Sequence, residues 1–255
     1  MTTSAIVVTY NSADCVEACI RSLQGQVEQI IIVDNASQDT TASVARSLGI
    51  TPIELLENKG FAYAANYGAA HANGQWLFFI NPDTAVSPGA VAKAYKYAEA
   101  HSRVGIIGLG LYSPSGTLEP YCAGQEPTIF RILTRKLRPA IEREKPQTVD
   151  WVSGGACLIS REAFRAARGF DDNFFLYWED VDICHRLRQI GYKVVHMPQA
   201  RVIHQRGGSL ADMKRKTMLY DRSADRYYLK HYPTLICSLQ RLLRRFYRYF
   251  QPTVW

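Results

Sequence analysis

Three sets of side chains stand where a folded chain can use them for chemistry. Asp83 ends the run Trp76-Leu77-Phe78-Phe79-Ile80-Asn81-Pro82-Asp83. An unbroken apolar run that short reads as a fully buried strand. Pro82 ends it, because proline cannot donate to a strand ladder and biases Asn81 away from helix. Asp83 therefore stands at the carboxyl edge of a buried strand, where open α/β sheets bind ligands; an ordinary Asn-Pro-Asp turn suits the same residues. The second set is Phe174-Phe175-Leu176-Tyr177-Trp178-Glu179-Asp180-Val181-Asp182, where aromatics and acids alternate densely. Acids this close to buried aromatics have raised pKa values through desolvation unless paired, which is how general bases are tuned. Asp180 and Asp182 also suit a helix start as plain terminus acids. The third is His204, at the end of a short strand; it gains chemical meaning only by converging with Asp83.

The elements that must position these residues follow from periodicity. Ala5 to Thr9 reads as a strand, followed by the polar turn Tyr10-Asn11-Ser12 and a helix over 13–24 that Ser12 can cap. Gln29 to Val33 is a buried strand ending at Asp34. A helix carrying Ala42, Val44, Ala45 and Leu48 follows and is closed by Gly49. A short strand at Ile53 to Leu56 ends at Glu57-Asn58-Lys59-Gly60, and an alanine-rich helix covers 61–73. This alternation predicts an α/β fold, a mostly parallel sheet with helices on both faces. It puts Thr9, Asp34, Asn58 and Asp83 on one sheet edge, a pattern that describes a ligand crevice.

Further on, a helix is expected over 88–101 and a strand over 104–109, whose glycines lack dinucleotide-fingerprint spacing. Residues 112–148 hold five prolines and no clear period, and are expected to form a surface excursion. Gly154 and Gly155 inside an apolar stretch suggest close backbone approach to a ligand or another chain, or a plain bulge. A helix over 180–190 and strands at 193–197 and 201–204, either side of Pro198, follow. Beyond Pro233 a helix over 234–250 carries Leu235, Leu239, Leu242, Leu243, Phe246 and Phe250 on one face. Arg241, Arg244, Arg245 and Arg248 fall opposite. Such a helix suits an anionic membrane surface, and equally a helix docked by its apolar face with arginines in water.

The totals bound the answer. A chain of 255 residues holds one large α/β domain or two small ones, and 47% apolar residues exclude a disordered chain. The net charge of +7 gathers beyond residue 130 and suits nucleic acid, an anionic membrane or a phosphorylated ligand. Nucleic acid is not expected, because the arginines cluster on one tail helix rather than across a recognition motif. The start lacks a signal-peptide pattern, and no apolar run reaches the roughly 20 residues that span a bilayer. The six cysteines form no CxxC pair and are expected as buried thiols in a reducing cytoplasm.

Several stretches then occur in a telling order. They are Val8-Thr9-Tyr10-Asn11-Ser12, Val33-Asp34-Asn35-Ala36-Ser37, Asn58-Lys59-Gly60-Phe61-Ala62 with Asn66 and Gly68, and Asn81-Pro82-Asp83. Gly154-Gly155-Ala156, Gly169-Phe170-Asp171, the Phe174 to Asp182 stretch and His204-Gln205-Arg206-Gly207-Gly208-Ser209 continue them. Together they resemble the family 2 glycosyltransferases of the GT-A fold, especially the rhamnosyltransferase-like branch. The resemblance covers about residues 5 to 210 and leaves 211–255 as a basic helical extension. It implies transfer of a sugar from a nucleoside diphosphate donor, with inversion at the anomeric carbon. By similarity, Thr9 and Asp34 hold the base and ribose, and Asn58 and Gly60 lie near the donor. Tyr10, Asn11, Asn66, Asn81, Gly154, Gly155 and Glu179 complete the implied donor-binding set. Asp83 matches the last residue of a metal-binding DxD-type motif, and His204 a histidine completing a site for Mg2+ or Mn2+. Asn81 stands where the motif's first acid would be, so one acidic ligand is missing. Asp180 matches the catalytic base.

The implied donor is a deoxysugar nucleotide such as dTDP-rhamnose, and the implied acceptor a cell-envelope glycan or lipid-linked sugar. The tail helix would hold the protein peripherally on the inner face of the cell membrane. Two other functions compete. A non-catalytic GT-A-like subunit would bind nucleotide or glycan without transfer, against which intact Asp83, Asp180 and His204 argue. A sugar nucleotidyltransferase would want a glycine-rich basic loop after the first strand, and residues 9–15 contain neither glycine nor lysine.

Overall fold

The computed structural model describes residues 2–126, 128, 131, 144–205 and 213–250. Its first half runs β1 (Thr3–Thr9), α1 (Val16–Leu23), β2 (Gln29–Asp34), α2 (Thr41–Ser47), β3 (Ile53–Glu54), α3 (Phe61–His71) and β4 (Trp76–Ile80). This is the expected alternation. Next come β5 (Thr84–Val86), α4 (Ala90–Ala100), β6 (Val104–Tyr112), β7 (Ala123–Gly124), β8 (Gln147–Thr148), β9 (Trp151–Val152) and β10 (Ala156–Ser160). The chain continues through α5 (Arg161–Ala166), α6 (Glu179–Gln189), β11 (Lys193–His204), α7 (Met213–His231) and α8 (Thr234–Phe250). Two expected strands around Pro198 are one strand, β11, because a register shift between Met197 and Arg201 absorbs the proline.

The main sheet has the order β3-β2-β1-β4-β10-β6-β11-β5, with β8 paired to β11. Neighbours β3, β2, β1 and β4 are parallel, as are β6 and β11. Strand β10 is antiparallel to both β4 and β6, and β5 is antiparallel to β11. Two reversals around β10 restore the direction, so β1, β2, β3, β4, β6 and β11 all end on one edge.

Side chains alternate across the sheet with period two. Ala5, Val7, Phe78 and Ile80 face one side, where α1, α2 and α4 cover them with Cys19, Ile20, Ala45 and Val91. Ile6, Leu77 and Phe79 face the other side, under α3, α5 and α6. Because β1 and β4 are buried on both faces, they read as continuous apolar runs rather than alternating ones. A third apolar cluster joins Phe174 and Trp178 to Ala224, Tyr227 and Tyr228 of α7 and Cys237 of α8. The tail is therefore packed directly on the segment that carries Asp180. All six cysteines are free thiols; five are buried and Cys15 is half-buried. Among the described residues, no helix is long and apolar enough to cross a membrane.

Candidate active site

The first two strand ends make one rigid polar corner. In register, Thr9 lies beside Asp34. The buried Asp34 accepts from the Thr9 hydroxyl at 3.0 Å, the Ser37 hydroxyl at 2.5 Å and the Ser37 N–H at 3.3 Å. Thr9 is wholly buried, so its observed role is to orient Asp34. The loop after β1 is clipped to the loop after β2. The Asn11 N–H donates to Ser37 Oγ at 2.9 Å, and the Gln38 N–H donates to Asn11 Oδ1 at 2.8 Å. Tyr10 lies half-buried in this loop.

Asn58 and Gly60 are brought to the same edge by Asn35. The Asn35 amide donates to Asn58 Oδ1 at 2.9 Å and to the Gly60 carbonyl at 3.2 Å, and its Oδ1 accepts the Lys59 N–H at 3.0 Å. Gly60 has φ +86°, and a Cβ there would stand 2.3 Å from the Phe175 carbonyl oxygen. That carbonyl accepts the Phe61 N–H at 2.7 Å, which docks the start of α3 onto the aromatic–acid stretch. Asn66 has a different occupation from its neighbours in the motif. Its amide donates to the Phe170 carbonyl and to Asp172, and its Oδ1 accepts the Phe170 N–H, so it clips α3 to residues 170–172.

Asp180 is held from two sides. Its Oδ2 accepts the Gly154 N–H at 2.9 Å and its Oδ1 the Val181 N–H at 2.8 Å. Gly154 thus donates to a side chain of the same chain, and the Gly155 carbonyl accepts the Asn81 N–H at 3.0 Å, tying Asp180's support to the Asp83 loop. Before α6 the chain passes through two left-handed residues, Tyr177 (φ +69°) and Trp178 (φ +68°). Bulky residues pay roughly 1–2 kcal/mol each for that conformation, which persists only where packing over-determines it. Here Tyr220, Tyr227 and Tyr228 surround the Trp178 ring, and Ser223 donates to the Leu176 carbonyl at 2.7 Å. Burial raises the carboxyls of both Asp180 and its neighbour Glu179, Glu179 well above the usual range. The buried Glu179 leaves Oε2 without a partner. The two N–H groups on Asp180 favour its ionised form, so Asp180 is the member of the pair that ionises first.

Asp83 and His204 do converge. Strand β11 pairs with β5 so that His204 lies opposite Thr84, and His204 Nε2 is 3.2 Å from Asp83 Oδ2. The other ring nitrogen, Nδ1, is 3.0 Å from Glu119 Oε1. Hydrogen bonds to Asp83 and Glu119 outweigh burial and raise the imidazole pKa to about 9. Asp83 Oδ1 is buried with no partner. Among the described residues no group of three or more His, Cys, Asp and Glu side chains forms a ready-made metal cage. An orphaned carboxylate oxygen beside one imidazole fits a divalent cation that takes its remaining ligands from water and phosphate oxygens. Asn81 sits at the head of this loop with its carbonyl accepting from Thr84 at 2.7 Å. The motif residues 206–209 after His204 lie outside the described residues.

The excursion over 112–148 supplies two acids that periodicity did not reveal, the half-buried Glu119 and the buried Glu126; much of its remainder lies outside the described residues. Glu126 accepts from His185 at 2.9 Å, Arg188 at 2.5 Å, and the Tyr227 and Tyr232 hydroxyls. These donors outweigh burial and hold its carboxyl far below the usual range. Asp182, wholly buried, binds Arg186 on its own helix and His231 and Lys230 of α7. Asp182 is thus a structural clamp rather than a free terminus acid.

The tail reverses one expected arrangement. On α8, Leu235, Leu239 and Leu242 are 81%, 40% and 64% exposed, whereas Arg244 is buried and, with Arg241, pairs with Asp225 of α7. Leu235, Leu239 and Leu242 therefore do not dock on the domain. Leu243 is half-buried, and the side chains of Arg245, Phe246, Arg248 and Phe250 lie outside the described residues. On α7, Arg222, Arg226 and Leu229 are also exposed.

Comparison with known proteins places the family and the fold. The chain is 28% identical over 234 residues to the N-acetylglucosaminyl-diphospho-decaprenol L-rhamnosyltransferase of Mycobacterium tuberculosis, covering 80% of this chain and 76% of that one. It is 22% identical over 216 residues to the rhamnosyltransferase WbbL of Escherichia coli, covering 78% and 81%. Its structure superposes with a TM-score of 0.64 on the mannosyltransferase PcManGT of Pyrobaculum calidifontis, solved in complex with GDP-Man and Mn2+. The identity is 19%, with 94% and 69% of the two chains covered. The fold is therefore the GT-A glycosyltransferase fold. With residues 4–168 matching the family model for glycosyl transferase family 2, well over half its length, the chain belongs to that family of glycosyltransferases.

Proposed function

We propose that the protein is a metal-dependent, inverting rhamnosyltransferase. It moves L-rhamnose from a nucleoside diphosphate donor such as dTDP-rhamnose to a lipid-linked glycan of the cell envelope. The names of its rhamnosyltransferase relatives support the sugar, and the diphospho-decaprenol acceptor of one of them supports the lipid. The observation that carries the reading is a single supported carboxylate, Asp180, joined through Gly154 and Gly155 to the Asp83–His204 pair.

The chemistry follows from those groups. The nucleotide lies along the Thr9–Asp34 corner with Tyr10, Asn11 and Ser37, and the arm of Asn58 and Gly60 lies beside the donor. Asn81, Gly154, Gly155 and Glu179 line the way to Asp180. Mg2+ or Mn2+ held by Asp83 and His204 would supply charge neutralisation for the departing diphosphate. Asp180 takes the proton of the acceptor hydroxyl as its oxygen bonds to the anomeric carbon. The bond to the diphosphate breaks in the same displacement, and its electron pair leaves with the nucleotide, so configuration inverts. One base suffices, unlike a retaining glycosidase with its two carboxylates.

The tail completes the proposal. Leucines exposed on α8 and arginines, Arg222 and Arg226, exposed on α7 suit peripheral attachment to an anionic bilayer, which presents lipid-linked acceptors to the site. The test is a donor panel with a polyprenyl-diphosphate sugar acceptor and Mn2+. Asp180→Asn is expected to lower turnover by roughly 10²–10⁴-fold while nucleotide binding persists. Wild-type turnover in Asp180→Asn would remove the proposed base.

A further inference from the structure

One carboxylate reaches the site from a segment whose sequence carries no period. Residues 113–116, Ser-Pro-Ser-Gly, fold into a turn: the Gly116 N–H donates to the Ser113 carbonyl at 2.8 Å, and Gly116 takes φ +81°. Proline at the second position and glycine at the fourth suit such a turn. The chain then returns along the end of β6. Leu118 bridges Tyr112, and the Glu119 N–H donates to the Leu111 carbonyl at 2.8 Å. Since Tyr112 lies beside Ile203 in the sheet, this return sets Glu119 next to His204. Its side chain is 14% exposed, and Oε1 lies 3.0 Å from His204 Nδ1.

We propose that Glu119 is a positioning residue for His204: by accepting the Nδ1–H it fixes the ring so that Nε2 faces Asp83 and the donor's diphosphate. The inference rests on the proposed metal role of Asp83 and His204. Without an acceptor on Nδ1 the imidazole can take the other tautomer or flip, and either change removes the lone pair of Nε2 from the site. Histidines that ligate metals nearly always donate their second ring N–H to a carboxylate, carbonyl or water, which fixes the tautomer and strengthens the ligand. The Ser113–Gly116 turn is then a part of the site built far from its motifs in sequence.

The test uses the full chain with Mg2+ or Mn2+ and dTDP as probes. With Mg2+ and dTDP, ¹⁵N NMR of the histidine rings is expected to show His204 protonated at Nδ1 and bare at Nε2. The opposite tautomer in the wild-type protein overturns the proposal without any variant. Glu119→Leu is expected to scramble that tautomer and weaken Mn2+ binding, read by the EPR signal of free Mn2+, by roughly 10–100-fold. Glu119→Gln keeps an acceptor and is expected to keep the tautomer. A Glu119→Leu protein with wild-type tautomer and Mn2+ affinity refutes the role. Asp83→Asn separates the two readings. If it leaves Mn2+ binding unchanged, the metal assignment fails; if it weakens binding while Glu119→Leu does not, the Glu119 inference alone fails.

Discussion

Gly60→Ala probes directly the coupling between the Asn58–Gly60 segment and Asp180, the proposed base. Gly60, at φ +86° and ψ 169°, lies in an extended positive-φ region essentially reserved for glycine, which costs an alanine roughly 1–3 kcal/mol. Its new Cβ would also meet the Phe175 carbonyl oxygen at 2.3 Å and the Phe175 Cα at 2.7 Å, where ordinary contact starts near 3.4 Å. Phe175 must therefore retreat by about 1 Å, and a misplacement of that size can cost about 10²-fold in rate. Phe175 lies two residues before the left-handed pair Tyr177–Trp178, which launches α6 and Asp180, so the displacement reaches Asp180. Gly49→Ala is the matched control. Gly49 has φ +78° just past α2, and nothing lies within 4 Å of its added Cβ. Gly49→Ala is expected to lose about 2–8 °C in Tm from its positive φ, and Gly60→Ala at least as much. Only Gly60→Ala is expected to lose about two orders of magnitude in transfer rate, measured as donor consumption under saturating acceptor. Equal activity in the two variants, or a Gly60→Ala protein as active as wild type, refutes the coupling.

Two further outcomes follow from the tail. Lys230 lies 2.7 Å from Asp171 and 2.8 Å from Asp182. Burial pushes both carboxyls up, but for Asp171 the Lys230 ammonium and the Asn173 donors prevail and bring it to about 2. For Asp182 the His231, Arg186 and Lys230 donors prevail and hold it below its ordinary value. A depressed carboxyl gives stability above its unfolded value near 3.8 that is lost as pH falls through the folded value. Lys230→Met is therefore expected to lower stability at pH 7 and to move acid unfolding, followed by circular dichroism between pH 5 and 2, to higher pH; an unmoved midpoint contradicts the clamp. Replacing Leu235, Leu239 and Leu242 together by Ser is expected to cut co-sedimentation with phosphatidylglycerol vesicles by more than about tenfold. Each buried leucine is worth roughly 1.5–3 kcal/mol of transfer. Undiminished sedimentation of that triple variant rules out the membrane face.

Much of the fold is legible in the sequence because its signals are local. Five apolar residues before Asn81-Pro82-Asp83 can only be a buried element that stops at the proline, and each preceding strand ends in its own polar signal. Parallel strands separated by helices then bring Thr9, Asp34 and Asp83 to one edge without further information. His204 is different in kind. Its nearness to Asp83 depends on β5, three residues long, reversing direction and pairing with β11, and no residue of Thr84–Val86 announces that partner. Glu119 is harder again, since a turn of four residues decides whether it points at the site or at water. Its signal existed in Ser113-Pro114-Ser115-Gly116, yet a turn says that the chain returns and not what it returns beside.

The tail shows why periodicity alone stops short. A 17-residue helix with leucines on one side and arginines on the other has two ways to sit, and the apolar stripe favours neither when both a protein surface and a bilayer are available. The choice is made by α7. Asp225 offers a carboxylate to Arg241 and Arg244, and Tyr228 accepts the Gln240 amide at 2.8 Å, so the polar face of α8 has partners along α7. The pairs 225 with 244 and 228 with 240 run in opposite senses, which makes the two helices antiparallel. Once Arg244, Gln240 and Cys237 face inward, Leu235, Leu239 and Leu242 are turned out by helical geometry. Exposing three leucines on one face has a continuing cost in water, and a lipid surface removes it. The same α7 holds Trp178 and Glu126, so the helix that orients the leucines outward also braces the strained turn before Asp180. A surface that engaged α8 would therefore bear on the element that carries Asp180, the proposed base.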